Sequence, residues 1–152
     1  MSAKSTLASL ALVAVLAAGA PASAEELITF DAAAVSALPG STPLEKVTFR
    51  PLLKSGGDVV SVRVSIPANT DVAPHPHPAG KVAIVTVLSG DFKIGLGTKF
   101  DEAGLKTVAP GGVIVLRDTD PLHYARVGTT PVELLLVAAP KDAVAPALLG
   151  AK

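Results

Sequence analysis

Val60-Ser61-Val62-Arg63-Val64-Ser65-Ile66 alternates apolar and polar residues without a break. Successive side chains of an extended backbone point to opposite faces, so Val60, Val62, Val64 and Ile66 form one apolar face while Ser61, Arg63 and Ser65 face water. This pattern predicts a strand with one side in a core. Working outward, β-type runs recur at Val47 to Leu53, Val82 to Leu88, Asp91 to Leu96, Val113 to Leu116, His123 to Val127 and Val132 to Ala138. Turn residues separate them: Ser55-Gly56-Gly57, Ser89-Gly90-Asp91, Pro110-Gly111-Gly112, Asp118 to Pro121 and Gly128 to Pro131. Glycine and proline supply the backbone angles that such turns need. Short strands at close intervals predict an all-β sandwich or barrel. Ala32 to Leu38 is long enough for one short turn of helix. The tail from Pro140 to Lys152 reads as a frayed helix or as unstructured chain, and carries no chemistry.

Composition narrows the function classes. The chain of 152 residues has 13 Lys+Arg against 13 Asp+Glu and no Cys or Trp. Without a basic block there is nothing to displace counterions from phosphates, which argues against a nucleic-acid partner. The absence of Cys excludes a disulfide framework, thiolate zinc modules, iron–sulfur clusters and cysteine nucleophiles. Any metal must sit on His and oxygen ligands. No Gly-x-Ser-x-Gly elbow and no phosphate loop before a helix is present, and the adjacent Asp101 and Glu102 point apart on an extended chain.

Residues 1–24 read as a secretory signal. Lys4 gives a charged start, Leu7 to Ala18 an apolar run, and Ala22-Ser23-Ala24 small residues for cleavage. A membrane span needs about 20 apolar residues, and this run ends sooner, at Gly19 and Pro21. The expected mature chain, Glu25 to Lys152, is one domain, its core spanning about 44–139 and its tail 140–152. It is exported, to the periplasm in a Gram-negative cell and otherwise outside the cell, with no membrane attachment.

The histidines are the main chemical signal. His75 and His77 lie within Pro74-His75-Pro76-His77-Pro78, and His123 precedes Tyr124. Residues i and i+2 of an extended chain share a face, so His75 and His77 can offer two imidazoles to one ion, with the third from another strand. The alternative is a solvated polyproline stretch whose imidazoles splay apart, with His123 hydrogen-bonded in the core. Spacing alone leaves both readings open.

Ile66 to Tyr124 resembles the cupin superfamily. In that family's first motif, G-x5-H-x-H-x(3,4)-E-x6-G, His75, His77 and Gly90 match in order; in the second, G-x5-P-x-G-x2-H-x3-N, Gly112 and His123 match at the required separation. The resemblance implies a cupin-type barrel (a double-stranded β-helix, or jelly roll), a homodimer, and His75, His77 and His123 as ligands to one divalent transition ion. Imidazole ligation suits Zn, Fe, Mn, Ni or Cu. The departures bear on mechanism. The glutamate position falls on Ala83 counting back from Gly90, or on Lys81 counting forward from His77, and neither is a carboxylate. Asn69 stands at the first motif's leading Gly, Asp118 and Asp120 at the second motif's Pro and Gly, and Val127 at its Asn. Asp118 and Asp120 read as turn formers, Lys81 as a solvated cation and Tyr124 as a packing residue. Three functions are expected to compete: a metal enzyme of dioxygenase or isomerase type acting on a small molecule, a non-catalytic barrel that binds a small ligand or a metal, and a barrel whose histidines bind nothing.

Overall fold

Among the described residues ten strands follow in chain order: β1 (Ser41–Leu44), β2 (Val47–Pro51), β3 (Val60–Ile66), β4 (Thr70–His75), β5 (Val82–Ser89), β6 (Phe92–Leu96), β7 (Lys106–Val108), β8 (Val113–Leu116), β9 (His123–Val127) and β10 (Val132–Ala139). They come from a computed structural model that describes residues 27–53 and 56–150. The predicted signal, residues 1–24, lies outside the described residues. The strands belong to a unit spanning Asp31–Lys152; of the preceding unit, residues 27–30 are described and carry no regular secondary structure. No helix among the described residues is long and apolar enough to cross a membrane.

Every run that the sequence marked as β is a strand. All the strands pair antiparallel, in a six-stranded sheet ordered β1-β2-β3-β10-β5-β8 and a four-stranded sheet ordered β4-β9-β6-β7. The alternating stretch is β3, whose Val62, Val64 and Ile66 are buried. Its partner β10 lies between β3 and β5 and is paired along its whole length, which explains why its sequence, Val-Glu-Leu-Leu-Leu-Val-Ala-Ala, is nearly continuous in apolar residues. One face of β10 and β5 turns to the main core with Val85, Val87, Val132 and Leu134. The opposite face carries a smaller cluster of Val82, Ala139 and Val144, with Ile84, Val115 and Leu149 against it. The tail therefore has a packing role: its two 3-10 turns, Lys141–Ala143 and Pro146–Leu149, bring Val144 and Leu149 onto the back of the sheet.

Three strands, β1, β4 and β7, lie outside the runs expected from sequence. β1 and β7 are short edge strands with exposed side chains, so no apolar alternation marks them. β4 follows β3 through a turn in which Asn69 takes φ +54°, a left-handed conformation that asparagine tolerates better than most residues. This accounts for an asparagine where the motif has glycine. The helical turn near the start is Ala32–Ser36, capped by Asp31, whose side chain accepts from the Ala34 N–H at 2.7 Å.

Candidate metal centre and cavity

The three histidines meet through one irregularity in pairing. β4 and β9 run antiparallel with Val72 opposite Ala125, yet His75, three residues on, stands opposite His123, only two residues away along β9. An extra residue is thus accommodated on β4 between Val72 and His75. Strict alternation from Val72 would send His75 to the outer face; the bulge turns it to the same side as Val72, Ala125 and His123. Pro74 sits within the bulge and has no N–H to donate, and β4 is an edge strand, where proline is tolerated. His77 lies beyond the strand end and reaches the same place.

The ring centroids of His75 and His123 are 4.0 Å apart with their planes tilted by 58°, and those of His77 and His123 are 4.7 Å apart, edge to face at 84°. Backbone carbonyls set two of the tautomers. His75 Nδ1–H donates to the Ala73 carbonyl at 2.8 Å, leaving Nε2 as the lone-pair nitrogen. His77 Nε2–H donates to the Pro121 carbonyl at 3.2 Å, so its lone pair is on Nδ1. The Nδ1 atoms of His77 and His123 are both buried without a hydrogen-bond partner. Two lone-pair nitrogens oriented by carbonyl acceptors, with the buried and unpartnered His123 Nδ1 beside them, make a donor set whose chemistry fits a late first-row divalent ion. As placed, the rings pack on one another: among the described residues no group of three or more His, Cys, Asp or Glu is arranged to hold an ion. Ligation would require side-chain rotation.

His123 and His75 disfavour protonation. Burial, together with the neighbouring His75 and His77, pushes His123 down to about 3. Burial also lowers His75, reinforced by His77 and opposed by the Ala73 carbonyl. An unfolded histidine titrates near 6.5, so between these values the unfolded chain binds more protons and folding stability falls as pH falls. The metal-free protein should therefore begin to lose melting temperature below about pH 6.5, above the range in which carboxylates protonate. Thermal melts from pH 7 to pH 4.5 check this, and His123→Gln should flatten the dependence.

The residues at the missing glutamate position behave differently. Ala83 is buried on β5 and lines the same cavity as the histidines, so a methyl group stands where the motif carries a carboxylate. Lys81 points elsewhere, with Nζ donating to the Asp58 carbonyl at 2.5 Å. Asp120 accepts from the Arg117 N–H, Nε and Nη2 at 2.8, 3.1 and 2.9 Å, which holds its carboxyl below the usual range despite the opposing effect of burial. It stabilises the turn before β9, and Asp118 is exposed beside it. Tyr124 faces away from the histidines, buried on the outer side of the four-stranded sheet, with its hydroxyl donating to the Asp101 carbonyl at 2.9 Å. Gly97 is in a turn, while Gly95 lies inside β6, where a Cβ would run into the Tyr124 ring.

The imidazoles open onto a cavity of about 380 Å³ between the two sheets. Its walls come from β1, β2, β3, β4, β5, β6, β8, β9 and β10 and the segment after β4. Apart from the three histidines its lining, among the described residues, consists only of Pro, Ala, Val, Leu, Ile and Phe. Sequence reading missed this, because which apolar residues leave space between them is decided by the curvature of two sheets and not by the pattern of any one.

No protein-family model and no curated protein matches the chain. Solved structures do match. The cupin domain of Cnp3 from Schizosaccharomyces pombe is 14% identical, with 70% of this chain and 72% of that chain covered and a TM-score of 0.56. The polyketide cyclase RemF from Streptomyces resistomycificus is 19% identical over 74% of this chain and 79% of that one, at 0.57. A predicted oxalate decarboxylase from Thermotoga maritima is 19% identical over 70% and 96%, at 0.56. At such identities the likeness is one of architecture: the chain has the cupin fold, a jelly roll of two antiparallel sheets.

Proposed function

We propose that this is an exported cupin-fold protein that binds one divalent transition ion through His75, His77 and His123, with coordination positions left open for a small molecule held in the cavity. The observation that carries the reading is the pair of buried Nδ1 atoms without partners, on His77 and His123, beside a His75 ring whose tautomer presents Nε2. Buried polar atoms are nearly always satisfied, so orphaned ring nitrogens clustered at one end of a cavity imply something that binds them. A bound ion would supply Lewis-acid polarisation of an oxygen-bearing ligand and, with Fe, Mn or Cu, redox chemistry. The protein's own part is to hold neutral imidazoles, to exclude bulk water with apolar walls and to orient the ligand. Enzymes are named among the proteins of like fold, a polyketide cyclase and a predicted oxalate decarboxylase, and a catalytic role of dioxygenase or isomerase type belongs to this reading. Export follows from the signal-like residues 1–24, and a homodimer from the family resemblance.

A second reading is favoured by one feature, the packing of the three rings on one another with a methyl group in place of the fourth ligand. On it the barrel binds a small molecule without metal or turnover.

Elemental analysis of untagged mature protein, Glu25 to Lys152, beside the His75→Ala/His77→Ala double variant tests the first reading. The expected result is near-stoichiometric metal in the wild type and background metal in the variant, because losing two of three ligands leaves a single imidazole. Background metal in both, with no rise in melting temperature on adding Zn, Ni, Cu, Mn or Fe, would reject it in favour of the second.

A further inference from the structure

We infer that the ligand of this cavity is an uncharged, mainly hydrocarbon small molecule carrying a hydroxyl group, such as a phenol or an alcohol. The inference deepens the proposed function, resting on its small-molecule site but not on the metal. The wall chemistry carries the first half. Among the described residues, no Ser, Thr, Asn, Gln, Asp, Glu, Lys or Arg side chain lines the cavity. The ion pairs Arg63–Glu133, Arg117–Asp120 and Arg126–Asp71 involve none of the lining residues. A sugar would bring several hydroxyls to walls with only the imidazoles to bond them, and each buried hydroxyl left unsatisfied disfavours binding. A volume of about 380 Å³ is on the order of a dozen water volumes, suited to one or two small rings or a short chain.

The tautomers carry the second half. The proton of His77 is held on Nε2 by the Pro121 carbonyl and that of His75 on Nδ1 by the Ala73 carbonyl. The remaining nitrogens, His77 Nδ1 and His75 Nε2, therefore accept hydrogen bonds and cannot donate them. A carboxylate, which also only accepts, would meet these two lone pairs in apolar surroundings. A hydroxyl supplies the donor that the buried His77 Nδ1 lacks, while the rest of the molecule covers Leu134, Leu136, Val64 and Phe92.

Full-length mature protein stripped with a chelator is titrated with 1-naphthol, with 1-naphthoate and with xylose. The chain has no Trp and a single Tyr, so naphthol fluorescence is read with little protein background. Saturable binding of naphthol, roughly tenfold or more tighter than naphthoate and with no binding of xylose, is expected. Ala125→Phe, which fills the cavity beside His123, should remove it. As a readout independent of that variant's folding, methyl-labelled wild type is followed as well, and shifts confined to cavity methyls such as those of Val64, Leu134 and Leu136 are expected. Absence of saturable naphthol binding, tighter binding of naphthoate or xylose, or shifts elsewhere on the protein would overturn the inference. Since the chelated protein is used, failure here is distinct from failure of metal binding.

Discussion

Gly90→Ala should lower the melting temperature by on the order of 10–15 °C or leave no soluble protein, the largest effect of a one-carbon change expected in this chain. Gly90 joins β5 to β6 at φ +94°, a conformation that costs an L-residue about 1–2 kcal/mol. A Cβ there would also run into the backbone of Pro131 and Val132, which cannot move without shifting β10, the strand between β3 and β5. Strain and backbone overlap together amount to about 3–5 kcal/mol. Gly111→Ala is the control: its φ is +85°, but nothing lies within 4 Å of the added carbon, so only the strain remains and a few degrees should be lost. Parallel thermal melts of the two variants check the comparison, and equal losses would show that the contact with β10 contributes nothing.

Tyr124→Ala is expected to cost about 3–5 kcal/mol, read as a lower urea midpoint at unchanged slope. The ring is 1% exposed and lies where Gly95 and Gly104 leave room for it, with Phe100 at 5.1 Å between centroids. Arg126 crosses Phe100 at 5.0 Å and binds Asp71 and Glu102, so the segment between β6 and β7 is fastened over Tyr124 by both packing and charge. Removing the ring leaves a void that these groups cannot all fill. Tyr124→Phe keeps the packing and loses one hydrogen bond to the Asp101 carbonyl, a loss of about 1 kcal/mol. Because Tyr124 faces away from the cavity, Tyr124→Phe should bind metal and naphthol as the wild type does. Altered binding would mean that the outer packing sets the angle of His123 on β9.

Much of the architecture was legible because it rests on local rules. Alternation marks β3 because half-buried strands must alternate, and Gly90 and Gly112 mark turns because few other residues take those angles or fit those spaces. The candidate ligands were legible as residues, since histidines are few and the motif spacing singles them out. Their arrangement was not. β4 escaped because Asp71, Ala73 and Pro74 do not form a clear apolar alternation, and its bulge has no signature beyond a proline without an N–H. The fate of Asp120 depended on Arg117 being nearer to it than the histidines are, which follows from a turn geometry and not from composition.

What the amino-acid order determined by itself is the class of fold, the absence of thiol chemistry and the identity of the three imidazoles, all of them properties of residue type and short-range period. What only the tertiary structure decided is where those imidazoles point, which tautomers they hold and what surrounds them. A one-residue bulge turns His75 inward, two carbonyls distant in the chain or bent back upon it place the protons, and the spacing of two sheets leaves an apolar cavity beside the rings. These depend on register and on contacts between segments far apart in sequence, where a shift of one residue reverses a face and so reverses the chemistry.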